Sequence, residues 1–439
     1  FENCTLTATV EKDGSAVLID GGSLALAGNA FSMQNAGEDE KNHAPVLLRV
    51  NNASFTAESG SYSAKGGVVL WLTNANASIH GGTFAAENTQ FGAVQANGSA
   101  LEIDGGRFDL KTLNPGIAPT AIALGNYENT ASTLTFSNAE IESTSYGIGL
   151  WGTSELQFID GTITSTYPAI ANNGLNTGTV KISVAGGTIT TEMDAAFYLP
   201  SRSEIDITGG TITGAAILDI RMGTANISIS GNTRLVSTLK TWTPLTHKDT
   251  EGATKADGSA FILNTNRYTD ESTDTAGELN FTLGNEVVVE AASGRIATVY
   301  DWNEFAEGQE QKLALDFGAY ENSDAIAYYD YDVASAQHTQ LTVRADGEFY
   351  ASLADSVSAA EIELIASNAE SAAVTLAGTH SVSVWEGVTY RAVFTVVAGA
   401  NVTVGGFGGT ICGEETHTFT NSGNLTINGG VTVDNITNQ

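Results

Sequence analysis

The chain of 439 residues is 42% hydrophobic and only 15% charged, and its 50 acidic against 18 basic residues give a formal net charge of −32. Such a surface repels nucleic acid and anionic membranes and disfavours polyanionic substrates such as polyuronates, so we expect no nucleic-acid partner. A simpler interpretation is that the charge keeps a large β-rich protein soluble. The sequence contains no run of the ~18 apolar residues that a membrane helix needs, so we expect no direct membrane insertion by this segment.

Residues 1–237 repeat one pattern nine times. In each repeat a tight corner is predicted at a Gly, Asn or Asp residue, the types that most readily accept a left-handed backbone, and apolar residues stand two and four positions before it. The nine corner residues are Gly21, Asn52, Gly81, Gly105, Asn138, Asp160, Gly186, Gly209 and Gly231. A spacing of roughly 22–33 residues with period-two alternation predicts a solenoid of β-strands in which apolar side chains such as Ile207 point inward.

A second strand is predicted ahead of the corner strand in many of these repeats, again with alternating apolar residues. The clearest examples are residues 68–72, 121–124, 147–151, 195–199 and 216–220. Two or three short strands per repeat, each stacked on its counterpart one repeat away, are typical of a parallel β-helix. The sequence therefore predicts an all-β fold with apolar side chains filling its centre.

The regular pattern weakens after Ser237. We interpret residues 238–346 as a continuation of the β-helix that carries a long inserted loop, Lys240–Gly258, and irregular repeats. Less regular corners are predicted at Gly284 and Gly318.

Residues 347–439 are predicted to begin a second β-helical module. Its opening stretch, Tyr350–Ala360, has the best helical pattern in the chain, with Leu353 and Val357 on one face. A short helix at this position would cap the open end of a solenoid, which otherwise exposes core side chains and an unpaired strand edge.

The sequence predicts no metal centre and no cofactor. Cys4 and Cys412 stand near opposite ends of the chain, so we expect no disulfide between them, and the six histidines are scattered singly. Acidic surface loops allow weak Ca²⁺ binding, but no motif for it is present. Because no signal peptide precedes the strand pattern at Phe1, we interpret the chain as a segment whose export signal and anchor lie outside it.

One phrase of the repeat resembles a known group of proteins. Ile-x-Ile-x-Gly-Gly-Thr-Ile occurs at Ile205–Ile212, and with Val184 in place of the second isoleucine at Ile182–Ile189. It is similar to the right-handed parallel β-helix repeats of large bacterial surface proteins called adhesin-like or pectate-lyase-like. Phe349–Leu364 is similar to the opening of such modules, with Ser356 where alanine is more usual. The resemblance implies a right-handed β-helix displayed outside the cell. Members of this group include polysaccharide lyases, hydrolases and non-enzymatic adhesins, so the fold by itself does not determine which of these functions the chain has.

The candidates for catalysis are charged residues in adjacent repeats. They are Glu192, Asp194, Arg202, Asp219 and Arg221. Two carboxylates at the right separation can act as acid and base in glycoside cleavage. However, Asp194 lies eight residues after its corner and Asp219 lies ten after its own, so they do not form a matched pair.

Aromatic residues are the candidates for carbohydrate binding. Trp71 and Trp151 each lie about ten residues before a corner, and Tyr198 lies near the same row, so we predict that the three project from one face. Rings exposed on a rigid face stack well against the CH surfaces of sugars. The alternative is that these rings cover the edge of a repeat and serve packing alone.

These observations favour a non-catalytic function. We expect an extracellular, cell-surface adhesin or stalk segment that presents a rigid acidic surface and binds host or microbial glycans or surface proteins. The alternative is a carbohydrate-active enzyme, either a polysaccharide lyase or a glycoside hydrolase, with its site near the candidate acids.

Overall fold

A computed structural model describes most of the chain. The described residues are 1–36, 44–87, 89, 91–112, 119–125, 130–172, 178–221, 224–239, 258–263, 278–302, 312–321, 325–332, 337–413 and 418–439. The predicted loop Lys240–Gly258 lies outside them, except for Gly258 itself. The chain divides into two compact units, the first formed by Phe1–Ser293 with Gln309–Phe317 and the second by Gly294–Gly308 with Gly318–Gln439. The predicted division at residues 237 and 346 stays a prediction.

The described chain is all-β, as predicted, and its strands are short. The first are β1 Thr5–Val10, β2 Ser15–Asp20, β3 Ser23–Leu26, β4 Asn29–Asn35, β5 Val46–Asn51, β6 Ser54–Ala57, β7 Gly60–Lys65, β8 Val68–Thr73, β9 Asn76–Ile79, β10 Thr83–Glu87, β11 Val94–Asn97, β12 Ala100–Ile103, β13 Arg107–Lys111, β14 Thr120–Leu124 and β15 Thr133–Phe136. There follow β16 Glu140–Ser143, β17 Tyr146–Leu150, β18 Glu155–Phe158, β19 Thr162–Ser165, β20 Ile170–Asn172, β21 Val180–Val184, β22 Thr188–Thr191, β23 Ala195–Leu199, β24 Ser203–Gly214, β25 Ala216–Ile220, β26 Ala225–Ser237, β27 Phe261–Leu263, β28 Glu278–Leu283, β29 Val288–Ala291 and β30 Ala297–Trp302. The last are β31 Lys312–Asp316, β32 Ile326–Asp332, β33 Gln337–Leu341, β34 Val343–Ala345, β35 Glu348–Tyr350, β36 Glu361–Leu364, β37 Ala372–Leu376, β38 Thr379–Val384, β39 Thr389–Val396, β40 Asn401–Gly406, β41 Gly409–Cys412, β42 Phe419–Asn421, β43 Asn424–Ile427, β44 Val431–Val433 and β45 Ile436–Asn438.

Parallel strands in the first unit form two groups, which we call sheet 1 and sheet 2. Sheet 1 has twenty strands, from β1 to β31, and sheet 2 runs in the order β2-β5-β8-β11-β14-β17-β20-β23-β25-β27. Each strand pairs with its counterpart one repeat further on. Ile205, for example, lies between Ile182 and Ile227 in register. The predicted stacking of equivalent positions is therefore present.

The core lies along the inward rows of both sheets. Ile207 is fully buried, while Asp206 and Thr208 on either side of it are exposed. Equivalent aromatic residues stack on each other, as Phe84 and Phe108 do with ring centroids 5.2 Å apart. The alternation in the sequence produces this arrangement because successive side chains of a strand point to opposite faces.

The nine predicted corners differ from the structure in two ways. Gly21 and Asn52 follow strands of sheet 2, so their equivalent in the next repeat is Asn74, whereas Gly81 lies at a different corner, between β9 and β10. Both kinds of corner use the same residue types between alternating apolar strands, so the pattern alone does not separate them.

The second difference concerns which residue is left-handed. Gly21, Asn52, Asn138 and Gly231 have positive φ as predicted, but at the other five corners the following glycine has it instead. These glycines are Gly82, Gly106, Gly161, Gly187 and Gly210. A β-carbon on Gly210 would lie 2.8 Å from the backbone oxygen of Gly186, so close stacking of the repeats adds a second reason for glycine there.

The predicted capping helix at Tyr350–Ala360 is wrong, because only a 3₁₀ turn forms, at Leu353–Ser356. Tyr350 belongs instead to β35, which pairs antiparallel with β34. The segment is also shorter than the ~12–15 residues that make a helix stable on its own. Within the turn, the buried Ser356 hydroxyl donates to the Leu353 carbonyl over 3.0 Å. The described residues contain one other 3₁₀ turn, Gly318–Tyr320, and no α-helix.

The second unit combines antiparallel and parallel pairing. Strand β33 pairs antiparallel with β32, and β34 pairs antiparallel with both β35 and β36. From β36 onward the pairing is parallel again, in the rows β36-β38-β40-β43 and β39-β42-β45. Cys412 in this unit and Cys4 in the first unit are both free thiols. No described helix has the length and apolar character needed to cross a membrane.

One exposed ion pair on sheet 1 gives a pH-dependent prediction. The hydrogen bond between His80 Nδ1 and Asp104 Oδ1, 2.8 Å long, raises the pKa of His80, slight burial opposes the rise, and the charges of Asp104, Glu58 and Glu102 add to it. We expect His80 to titrate above its ordinary value of about 6.5, and Asp104→Asn to bring it back towards that value in an NMR titration of the imidazole. The pair's small stabilisation is complete below the ordinary pKa and is lost as pH rises through the raised one. An unchanged titration in Asp104→Asn would contradict this.

Candidate functional site

The candidate aromatic residues lie on the outer face of sheet 2. Register pairing joins one residue of each strand into a continuous line, which we call the outer row: Leu18, Arg49, Trp71, Gln95, Ala123, Gly149, Ala171, Tyr198 and Asp219. Trp71 and Tyr198 are therefore members of one row, as the sequence suggested. The row also brings in Arg49 beside Trp71 and Asp219 beside Tyr198.

Trp151 reaches the same face in a different way. It follows β17 and lies two residues beyond Gly149, the member of the outer row in that strand. Its ring lies over Gly149, because a β-carbon at that glycine would be only 2.7 Å from Trp151 Cζ3. The indole fills the place that a side chain would take at Gly149, which gives Trp151 a packing role.

A groove of about 490 Å³ opens at the start of the outer row. We call it the Arg49 groove, and it is lined by Asp13, Ser15, Leu18, Ala44, Arg49, Asn51 and Trp71. The Arg49 guanidinium lies over the Trp71 ring, with Cζ 5.1 Å from the ring centroid, and its Nε donates to Ser15 Oγ over 2.9 Å. Phe91 packs on Trp71 with the ring centroids 6.1 Å apart. Two neighbours thus hold the indole, and the indole in turn supports the cation.

The electrostatics of Arg49 differ from those of other arginines in the protein. Burial lowers the pKa of its guanidinium and the nearby charge of Asp13 opposes this, but an arginine stays cationic at neutral pH. Arg107, Arg234 and Arg344 are each paired with one or more carboxylates. Within the described part of the chain, no ion pair engages Arg49.

Arg49 was not predicted from the sequence, although a signal for it exists. Arg49 and Trp71 each stand three residues before a corner, Asn52 and Asn74 respectively, and both of these corners have positive φ. The repeat alignment made from the sequence treated Asn52 and Gly81 as equivalent corners. In that alignment Arg49 and Trp71 do not occupy equivalent positions. Aligning the corners that follow sheet 2 would have put the two side chains side by side.

The candidate catalytic residues are brought near one another without forming a carboxylate pair. Asp194 and Asp219 are both 0% exposed. Asp219 is in register with Tyr198, which is the fourth residue after Asp194, so the backbone positions of the two acids are offset by about 13 Å along the strand direction at ~3.3 Å per residue. Glycosidase carboxylates stand roughly 5–9.5 Å apart. Separation and burial therefore do not favour joint acid and base roles.

Other contacts tie this cluster into the fold. Arg221 Nη1 donates to Tyr198 Oη over 2.6 Å, and Arg221 Cζ lies 5.6 Å from the Tyr198 ring centroid. Burial raises the pKa of Tyr146, and the charges of Asp194, Tyr198 and Tyr167 raise it further. The two remaining candidates are more accessible, since Glu192 is exposed and Arg202 half-buried.

A second groove, of about 450 Å³, crosses the outer face of sheet 1. It is lined by Lys181, among other residues, which pairs with Glu204 over 3.3 Å and lies in register between Glu204 and Glu155. The cation here is already neutralised by neighbouring acids. This groove is therefore less suited to an anionic group than the Arg49 groove is.

The fold and these sites define an all-β protein of stacked parallel strands and strongly negative net charge, with a groove that joins a cation to an aromatic ring. No protein-family model matches the sequence, and a comparison with characterised proteins finds no match. Among the described residues, no group of three or more His, Cys, Asp or Glu side chains is placed to hold a metal ion.

Proposed function

We propose that this chain is a segment of an extracellular, surface-displayed right-handed parallel β-helix of the pectate-lyase-like type, acting as a non-catalytic adhesin or stalk that binds glycans of a host or of other microbes. The Arg49 groove is the observation that carries the proposal. It joins an aromatic ring and a cation in a concavity of the size that small ligands occupy, roughly 300–1,000 Å³.

The regular stacking of the repeats supports the stalk role. Strands of the first unit pair in one direction with their equivalents, so each repeat is braced by its neighbours and the surface between corners stays rigid. The −32 charge favours solubility and discourages contact between copies of the chain. Surface proteins of a host or of other microbes are the second class of partner that we propose.

The alternative function is a carbohydrate-active enzyme, a lyase or hydrolase. The observation in its favour is that Tyr198, Asp219 and Arg221 lie together on the outer face of sheet 2. The full burial of Asp219 argues against it, because a substrate must reach the reacting groups. A glycan-array screen run beside assays for new reducing ends and unsaturated sugars separates the two functions. Released product would exclude the adhesin role.

Two tryptophan variants test whether the groove binds the glycan. We expect Trp71→Ala to weaken glycan binding by about tenfold or more, because the ring supports Arg49 and forms part of the groove wall. Trp151→Ala is the control, since its ring fills the space over Gly149. It should leave binding unchanged while lowering the free energy of unfolding by at least about 1 kcal/mol. Glycan binding of the two variants is measured on the array, and their stability is measured by thermal melting. Equal binding by Trp71→Ala and the native chain would contradict the assignment.

A further inference from the structure

We propose that the Arg49 groove binds a single carboxylate-bearing sugar at the end of an otherwise neutral glycan, with the Arg49 guanidinium paired to the sugar's carboxylate. The inference rests on the glycan-binding function proposed above and specifies its ligand class. Four observations support it: a cation that forms no ion pair with a described acid, its fixed orientation, the chemistry of the groove walls and the net negative charge of the chain.

The first property is a half-buried cation that forms no ion pair with a described acid, although the Asp13 carboxylate lies close enough for its charge to act on it. The chain has 50 acidic residues, and other arginines are well supplied with them. Arg107, for example, pairs with three described acids: Asp109, Glu140 and Glu142. Arg49 is half-buried and engages none of the described acids in an ion pair. A partly buried charge that is not directly paired is unfavourable, and Asp13 offsets this only at a distance. A ligand carboxylate in contact with the guanidinium would therefore still gain a direct ion pair with a cation that is already partly desolvated.

The second property is that the guanidinium is held in one orientation. Trp71 stacks against it, and Ser15 accepts the hydrogen bond from Nε. Among the described residues, Arg49 makes no other side-chain hydrogen bond. The Nη1 and Nη2 edge is therefore available for the two parallel hydrogen bonds that match a carboxylate, and little side-chain entropy remains to be lost on binding.

The third property is the mixed chemistry of the groove walls. Leu18 is 57% exposed and lies beside Arg49 in the outer row, opposite Trp71, so the cation has apolar surface on both sides. Asp13 and Asn51 also line the groove and present oxygen and amide groups suited to sugar hydroxyls. A sugar ring has both kinds of surface, whereas a simple inorganic anion would use only the arginine.

The fourth property limits the ligand to one negative charge. The chain carries a net charge of −32, and the only described cation lining the groove is Arg49. A polyanionic ligand would bring further carboxylates against a chain of strongly negative net charge and beside Asp13 in the groove, and repulsion would offset the gain at Arg49. An acidic sugar on a neutral glycan meets the cation without that repulsion.

Calorimetric titration of the full chain with three probes tests the inference. The probes are lactose, 3′-sialyllactose and a disaccharide ending in glucuronic acid. We expect at least one acidic probe to bind about tenfold or more tightly than lactose, and the comparison of the two identifies whether a sialic or a uronic carboxylate is preferred. Arg49→Gln should remove the advantage over lactose. Arg234→Gln is the matched control, because it removes the same charge from a residue already paired with Glu290.

Arg49→Lys guards against a folding defect, since it keeps the charge and most of the aliphatic stem. It should bind the acidic probe with an intermediate affinity, because an ammonium cannot make the two-pronged contact. Equal affinity for lactose and both acidic probes would overturn the inference. Binding of polygalacturonate, or of acetate, more tightly than either acidic probe would also overturn it. Glycan binding that is unaffected by Arg49→Gln would overturn it too, yet would leave the proposed function intact. That function fails if no glycan on the array binds, or if the enzyme assays detect released product.

Discussion

Ile207→Asp is expected to destabilise the first unit by more than about 4 kcal/mol, the range reached when an unpaired charge is buried in a core. Ile207 is 0% exposed and lies in register between Val184 and Ile229, both of which are also buried. In the adjacent described strands β21 and β26, the buried inward positions carry no cation that a carboxylate here could pair with. Because each repeat stabilises the next, the defect should spread to adjacent repeats.

Thr208→Asp is the matched control for this substitution. Thr208 is the next residue along the strand and is exposed, so the same new charge would stand in water. We expect its free energy of unfolding to stay within about 0.5 kcal/mol of the native value, as is usual for surface substitutions. Urea unfolding followed by circular dichroism measures both variants. If Ile207→Asp unfolded at the native urea concentration, the inward position of Ile207 would be wrong.

The sequence predicted the strands and their stacking because the alternation is local and repeats many times. Ile182, Ile205 and Ile227 occupy equivalent positions of successive sequence repeats, and the same repeat spacing brings them into register in the sheet. The corners were harder to align. Asn52 and Gly81 accept similar backbone conformations and follow similar apolar residues, so only the pairing between strands shows that they are different corners.

The helix at Tyr350–Ala360 failed for a related reason. Its helical pattern is real, but Tyr350 gains more from pairing in β35 than from starting a helix of marginal length. Pairing with another strand overrides local helix propensity in such cases, and the sequence of the segment itself does not show which strand it will pair with.

The candidate site was predicted only in part. Trp71 and Tyr198 were placed on one face from their distances to the corners, and both belong to the outer row. Arg49 was missed because the Trp71 contact joins residues of two different repeats, and it depends on correct alignment of their corners. The burial of Asp194 and Asp219 was also unpredictable, since alternation tells which face a residue points to but not what covers that face.

A charged cluster around Arg344 stabilises the second unit. Arg344 lies on β34, and its guanidinium makes two hydrogen bonds to Glu363, of 3.0 and 2.8 Å, and one of 3.0 Å to Glu321. Burial by itself lowers the pKa of Arg344, but the bonds to Glu363 and Glu321 outweigh it and raise the pKa above its ordinary value. Trp385 Nε1 donates to the same Glu363 carboxylate over 3.1 Å, and Arg344 Cζ lies 5.4 Å from the Trp385 ring centroid.

Glu363→Gln is expected to lower the free energy of unfolding of the second unit by about 2–3 kcal/mol, because it leaves a largely buried cation with a weaker partner. The matched control is Glu290→Gln, which breaks the bidentate pair with Arg234 on the surface. The side chains of that pair are each 51% exposed, against 18% for Arg344 and 27% for Glu363, so we expect a loss of less than about 1 kcal/mol. Urea unfolding monitored by tryptophan fluorescence and circular dichroism compares the two. Equal losses in both variants would mean that burial of the Arg344 pair contributes nothing.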